Sequence, residues 1–312
     1  MSISAFTAAT DTGRKRRRNE DAYVLAPPLF AIADGMGGAQ AGEIASRLAA
    51  AALEDTDSGS LSGPERVRSL IQEANRRVHE RSSADPTTSG MGTTMTVALV
   101  EGDTVAIGHV GDSRAYLLRD GRLEQLTEDH SLVNELLKSG RLSPEEAETH
   151  PQRAVITRAV GTDPDVDVDA FPVPARDGDL FVLCSDGLTD MVDDEGILDV
   201  LERNGDDIAR AAKALVAEAN KHGGEDNITV VAFRIEGDAD APTSATMTLP
   251  AATPEPEPEP EQPAPVPPPP PPGSRSVPAP RTQPAESRVR IAITMAVLLL
   301  VAVLLVVWGF TR

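Results

Sequence analysis

The sequence predicts an α+β fold in which antiparallel sheets are covered by packed helices. Three observations predict it. Short apolar runs, each closed near Gly, Asp or Asn, recur through the first 236 residues. Stretches with a helical period also occur there. The apolar runs come in neighbouring groups with the long helical stretches between groups, which suits hairpins better than strict βαβ alternation.

The elements follow in chain order. Leu29-Phe30-Ala31-Ile32-Ala33 reads as a strand that stops at Asp34-Gly35. Ala39 to Leu53 is rich in alanine, the strongest helix former. After Pro64, the residues Val67, Leu70, Ile71, Ala74 and Val78 fall on one helical face. Met95 to Val100 and Val105 to Val110 read as adjacent strands, the second ending at Gly111-Asp112. Ser143-Pro144-Glu145-Glu146 has the form of a capping box with proline at the first helical position. Leu180 to Cys184 is a strand that runs into Ser185-Asp186-Gly187. Ile208, Ala211, Ala212, Leu215, Val216 and Ala219 repeat the helical spacing, and Ile228 to Ile235 forms the last strand. No internal repeat is present.

Charge divides the chain. The 312 residues carry a formal net charge of −20. Seven acids against two arginines give Gly237 to Ser287 a charge of −5, and three arginines without an acid give the end from Arg288 onward +3. The first 236 residues therefore carry −18, and they are numerous enough for a sizeable core. So acidic a domain is not expected to bind nucleic acid through a broad phosphate-neutralising face. One cysteine, Cys184, excludes a disulfide framework and a cysteine-rich zinc site, and fits a reducing compartment.

Beyond Glu236 the composition changes. Residues 237–290 are dominated by Pro, Glu and Ala, including Pro254-Glu255-Pro256-Glu257-Pro258 and the run Pro267 to Pro272. Proline removes amide donors and fixes φ, so neither helix nor ladder is expected, only an extended disordered linker. About 50 residues at about 3.1 Å each would reach on the order of 150 Å. Ile291 to Phe310 is a nearly unbroken apolar run of the length a helix needs to cross a bilayer. Arg275, Arg281, Arg288 and Arg290 precede it and only Arg312 follows, which predicts a single-pass anchor with the N-terminal domain on the cytoplasmic face. Met1 to Arg18 has no apolar stretch of the secretory kind.

Chemistry is expected where strands end in acids beside glycine. The sites are Asn19-Glu20-Asp21, Asp34-Gly35-Met36-Gly37-Gly38, Gly111-Asp112-Ser113, Ser185-Asp186-Gly187 and Glu225-Asp226-Asn227. A single Asp-Gly pair at a strand end is usually a turn. Several converging acids are another matter, because two carboxylates about 4 Å apart repel by about 4 kcal/mol at an effective dielectric near 20. Carboxylates with accessible backbone carbonyls are the ligands of hard cations such as Mg²⁺ and Mn²⁺, and a pair of such ions suits phosphoryl chemistry. The glycines at Asp34 to Gly38 lack the third glycine of a dinucleotide fingerprint and no Gly-Lys-Ser/Thr follows, so a nucleotide-binding reading is weak. In Arg14-Lys15-Arg16-Arg17-Arg18, one arginine near the acids could clamp a phosphate while the others stay on the surface.

The order of these motifs is informative as a whole. Arg16-x-x-Asn19-Glu20-Asp21, Asp34-Gly35-Met36-Gly37-Gly38, Gly92-Thr93-Thr94, Val110-Gly111-Asp112-Ser113-Arg114, Ser185-Asp186-Gly187 and Asp226-Asn227 resemble the metal-dependent protein phosphatases of type 2C (the PPM family) in their bacterial form. The resemblance covers about Thr7 to Ile235 and implies a four-layer αββα sandwich with a two-metal site at one end of the sheets. It implies that Asp34 bridges the two ions with the Gly35 carbonyl on one of them, and that Asp186 and Asp226 complete the first ion's shell. Glu20 and Asp21 act mainly through bound water, and Arg16 holds the substrate phosphate. Asp112 and Asp186 resemble ligands of a third, weaker ion, and Asp129 to Gly161 resembles a mobile flap.

The implied activity is hydrolysis of phosphoserine and phosphothreonine in proteins by a water held between two Mn²⁺ or Mg²⁺ ions, opposing Ser/Thr kinases at the membrane. A non-catalytic phosphoprotein-binding module and a small-molecule phosphatase are the alternatives on the same fold. Met36 stands where animal relatives have a proton-donating histidine, which leaves His130, His150 or water as the general acid. Cys184, inside an apolar strand, is read as a core residue and not a nucleophile.

Overall fold

The computed structural model describes residues 1–37, 41–56, 60–148 and 150–237. The expected linker at 237–290, past Gly237, and the expected membrane span at 291–310 lie outside the described residues. Among the described residues, no helix is long and apolar enough to cross a membrane.

The chain runs through β1 (Ser2–Asp11), β2 (Asp21–Ala26), β3 (Leu29–Met36), α1 (Ala41–Asp55) and α2 (Gly63–Ala84). A 3₁₀ turn (Pro86–Thr88) leads to β4 (Gly92–Thr93), β5 (Met95–Glu101), β6 (Thr104–Val110), β7 (Arg114–Arg119) and β8 (Arg122–Gln125). Then come α3 (Leu132–Lys138), α4 (Pro144–Glu148), β9 (Asp169–Pro174), β10 (Leu180–Cys184), α5 (Asp186–Thr189), α6 (Asp194–Asn204), α7 (Ile208–Lys221) and β11 (Ile228–Glu236). One sheet has the order β1-β11-β10-β7-β8 and the other β2-β3-β5-β6-β9, with β4 paired to β3. Every strand pair is antiparallel. α1 and α2 pack on the second sheet, and α6 and α7 on the first.

Alternation along the strands builds three cores from one sequence pattern. In β3, Phe30 and Ile32 enter the layer between the sheets, while Ala31 and Ala33 join the core under α1. In β10, Phe181 and Leu183 face the other sheet, and Leu180, Val182 and Cys184 face α6 and α7. β11 repeats this with Val231, Phe233 and Ile235 inward and Ile228, Val230 and Ala232 towards the helices. A strand buried on both faces reads as a continuous apolar run, which is why these strands were visible in the sequence. Phe233 stacks between Phe30 (ring centroids 4.3 Å) and Phe181 (5.1 Å), tying the two sheets together. Each such phenyl stabilises the fold by about 1.5–3 kcal/mol.

The four-layer αββα arrangement implied by the resemblance is present. The expected strands at 29–33, 95–100, 105–110, 180–184 and 228–235 and the helices around 67–78 and 208–219 are all observed. The alanine-rich helix begins at Ala41, with residues 38–40 outside the description. The capping box forms reciprocally: the Ser143 N–H donates to Glu146 Oε2 (2.9 Å) and the Glu146 N–H to Ser143 Oγ (3.3 Å). Strands β1, β2, β4, β7, β8 and β9 were not anticipated; β1 and β8 are edge strands whose residues are half-exposed, so they carry no long apolar run.

Candidate active site

One end of the sandwich collects the motif residues. Asp21 opens β2 and pairs across the ladder with Asp34, near the end of β3. Asp112 follows β6, Asp186 follows β10, and Asp226 precedes β11. Because β10 and β11 run antiparallel, the end of one and the start of the other lie at the same edge. Arg16, Glu20, Asp34, Gly35, Met36, Asp112, Asp186 and Asp226 line one cavity of about 330 Å³. Asp112 and Asp186 also line a larger neighbouring cavity of about 700 Å³, bounded by α3, α4 and Arg153.

Backbone contacts explain why the acids are held so tightly. A Cβ on Gly35 would stand 2.1 Å from the Gly42 carbonyl oxygen, so β3 and the start of α1 meet backbone to backbone. A Cβ on Gly187 would stand 2.1 Å from the Asn227 carbonyl oxygen, which locks α5 to the start of β11. Asn227 is a clip. Its Nδ2 donates to the carbonyls of Thr12 (2.9 Å) and Arg18 (2.8 Å), and its Oδ1 accepts from the Glu20 N–H (2.7 Å). The turn that carries Arg16 is thereby fixed to the acids.

Hydroxyl groups orient the carboxylates. Asp21 Oδ2 accepts from Ser185 Oγ (3.0 Å) and Thr229 Oγ1 (2.6 Å). The Asp34 N–H donates to Thr94 Oγ1 (3.0 Å), and its carbonyl accepts from Thr93 Oγ1 (2.7 Å). Arg16 Nη2 donates to Asp226 Oδ2 at 2.5 Å. Of these supports, Thr229 was not singled out in the sequence. Serine and threonine beside motif acids were the available signal, but such residues are common in any turn.

Electrostatics mark the cluster as unusual. Burial, with Asp21, Asp186 and Asp112 close by, pushes the Asp34 carboxyl well above the usual carboxylate range. Asp186 is raised in the same way, by burial and by Asp112 and Asp226. Burial lifts Asp21 to about 6 and Asp112, helped by Asp129, to about 7. Glu20 is raised by burial, which Arg16 opposes. Among the described residues, the buried carboxylate oxygens Asp21 Oδ1, Asp112 Oδ1 and Asp186 Oδ1 find no hydrogen-bond partner.

These orphaned acceptors fit hard divalent cations, which take oxygen ligands and remove the repulsion. Among the described residues, no three His, Cys, Asp or Glu side chains already converge closely enough to grip an ion. Asp226 is engaged by Arg16, and the Asp34 carboxyl lies close to Asp21, Asp186 and Asp112. The donor chemistry fits an ion pair, while the carboxylates would have to turn to reach it.

The histidines do not sit at this cavity. His130 Nδ1 accepts from the Gly111 N–H (3.0 Å), and its Nε2 lies 3.0 Å from Asp169 Oδ2. Both ring nitrogens are occupied behind the wall. His150 Nδ1 accepts from the Gln152 N–H (3.2 Å) on the exposed side. Cys184 is fully buried and its thiol is pushed up to about 12, which agrees with a core role.

Comparison with known proteins gives concordant matches. The family description "Protein phosphatase 2C" matches residues 14–218. The serine/threonine phosphatase stp of Listeria welshimeri is 41% identical over 233 residues, covering 71% of this chain and 92% of that protein. The serine/threonine protein phosphatase PstP of Mycobacterium tuberculosis is 42% identical over 231 residues, covering 73% of this chain but only 44% of PstP. A crystal structure of the catalytic domain of PstP in complex with two manganese ions superposes with a TM-score of 0.69 at 38% identity, covering 75% of this chain and 99% of that one.

Proposed function

The chain belongs to the protein phosphatase 2C family, and from that membership we propose that it removes phosphate from phosphoserine and phosphothreonine in proteins, with Arg16 and the acid cluster as its working parts. It is a metal-dependent protein phosphatase. The observation that supports this site is the gathering of Arg16, Glu20, Asp34, Asp112, Asp186 and Asp226 around one cavity with unpartnered buried oxygens.

Asp34, Asp186, Asp226 and the Gly35 carbonyl would hold the ions directly, and Glu20 and Asp21 through water. The chemistry such ions supply when bound is the acidification of water towards neutral pH and neutralisation of phosphoryl oxygens. The remaining tasks fall to the chain. Arg16, already at the cavity mouth and paired with Asp226, is placed to turn its two-pronged guanidinium onto the substrate phosphate and fix it for in-line attack. Thr93 and Thr94 keep the Asp34 backbone still, so its carboxylate need not reorganise as charge develops. Met36 lines the cavity and cannot donate a proton, and neither His130 nor His150 is among its lining residues, which favours water over either histidine as the group that protonates the leaving alkoxide.

Mn²⁺ or Mg²⁺ would serve, with a third, weaker ion at Asp112 and Asp186. The apolar stretch 291–310 and the arginines before it support a single-pass membrane anchor with residues 1–236 cytoplasmic, linked by 237–290. Membrane-associated Ser/Thr kinases and their targets are then the natural substrates, since a tether raises local encounter. The strongly acidic first segment argues against nucleic acid as a partner.

The test is turnover of a phosphothreonine peptide by the full chain with Mn²⁺, with Mg²⁺ and with chelator. Activity is expected with the ions and absent with chelator. Full activity after chelation would overturn the metal assignment.

A further inference from the structure

We propose that His130 is a positioning residue that sets the direction of the Asp112 carboxylate by gripping the Gly111-Asp112 turn from behind. The grip is reciprocal: the His130 N–H donates to the Gly111 carbonyl (2.7 Å), and the Gly111 N–H donates to His130 Nδ1 (3.0 Å). Arg158 Nη1 and Asp169 Oδ2 both lie 3.0 Å from Nε2; because Nδ1 accepts from a backbone N–H, the neutral ring carries its proton on Nε2, which donates to Asp169 Oδ2, and the arginine's bond goes to Asp169. Arg158 Nη1 donates to the other oxygen, Asp169 Oδ1 (2.8 Å), and so fixes the carboxylate that fixes the ring. His109, wholly buried, lies against the His130 ring at 4.7 Å between centroids and is itself held by Thr96 and the Glu128 carbonyl. The imidazole therefore has one orientation available.

The turn it grips has no slack. Gly111 has φ +112°, and a Cβ there would stand 2.6 Å from Thr94. Thr94 is the residue whose hydroxyl accepts the Asp34 N–H and shares a 2.7 Å hydrogen bond with Ser113. Asp34 and Asp112 thus hang from neighbouring pieces of one braced unit. His130 is also where the segment over the larger cavity begins and returns. Its carbonyl accepts from the Thr157 N–H (2.8 Å), Ser131 bridges Ile156, and the Leu132 N–H donates to the Val155 carbonyl. One side chain therefore joins the stem of that segment to the turn bearing Asp112.

The inference rests on Asp112 being an ion ligand, and the experiment separates the two. Mn²⁺ is titrated into the full chain by calorimetry, without substrate, for wild type, Asp112→Asn, His130→Gln and His130→Asn. Asparagine puts Oδ1 where Nδ1 stands and keeps an acceptor for Gly111. Glutamine reaches towards Asp169 but leaves the Gly111 N–H unmet. Asp112→Asn should weaken the weakest Mn²⁺ event, His130→Gln should weaken that same event by about tenfold, and His130→Asn should stay within about twofold of wild type. An unchanged isotherm for Asp112→Asn removes the ligand assignment and the inference with it. A changed Asp112→Asn with His130→Gln unchanged, or with Gln and Asn weakened alike, overturns the inference alone. Should His130→Gln not fold, His130→Asn decides: retained affinity supports the grip, and a tenfold loss overturns it.

Discussion

Close to Asp21, Asp186 and Asp112, the Asp34 carboxyl stands where burial and these three neighbouring acids favour its protonated form. Asp34→Asn should abolish Mn²⁺-dependent turnover of p-nitrophenyl phosphate. In chelated protein the acid cluster should also be a source of instability. Asp112→Asn is then expected to raise resistance to urea at pH 8 by on the order of 2 kcal/mol. The sign follows from linkage. The folded-state values of Asp21 (about 6) and Asp112 (about 7) exceed the unfolded value of 3.8, so the penalty is full above about pH 7 and fades as pH falls towards 4. Urea midpoints of the two proteins should draw together below pH 7 and converge only near pH 4. At the cavity mouth, Arg16→Ala should raise KM for a phosphopeptide by roughly tenfold or more, as loss of a charged hydrogen-bonding partner does, with Arg17→Ala nearly silent. A larger effect at Arg17 would move the clamp by one residue. The acids and Arg16 were legible because their chemistry restricts residue type. The Asn227 clip and the Thr229 hydroxyl were not, since what they do depends on partners some 200 residues away.

Element ends do the aiming. Each motif acid sits at a strand terminus, and glycine permits the neighbouring segment to come within backbone contact. Gly187→Ala would drive a methyl against the Asn227 carbonyl, displacing α5 and with it Asp186. It should cost about 1–3 kcal/mol in thermal or urea unfolding and reduce kcat, although residue 187 bears no functional group. Unaltered kcat in a folded Gly187→Ala protein would mean that α5 does not aim Asp186. The same scale shows what periodicity can and cannot reveal. Central strands such as β10 are buried on both faces and stand out as apolar runs. β1 alternates half-buried and exposed residues, and its place is decided by nine positions of pairing with a strand more than 200 residues later. α5 has four residues, too few for a helical period.

At the level of the whole chain, composition changes beyond Glu236, the residue at which β11 ends. A chain stopped after Gly237 should keep its melting temperature and its turnover of p-nitrophenyl phosphate, and should move from the pelleted to the soluble fraction of a cell lysate. Sedimentation of the full chain as a soluble species would remove the anchor. Ser2 lies across the ladder from Glu236, and Asp11 across from Ile228, next to Asp226. The nine residues of β11 span about 30 Å, so the polypeptide enters and leaves the sandwich at one pole while the acid-lined mouth opens at the other. A reporter protein fused after Gly237 would hang from the back and leave the doorway clear for a bulky phosphoprotein. The same reporter inserted at Gly223, beside the Arg14 turn, would stand in that doorway and block large substrates before small ones.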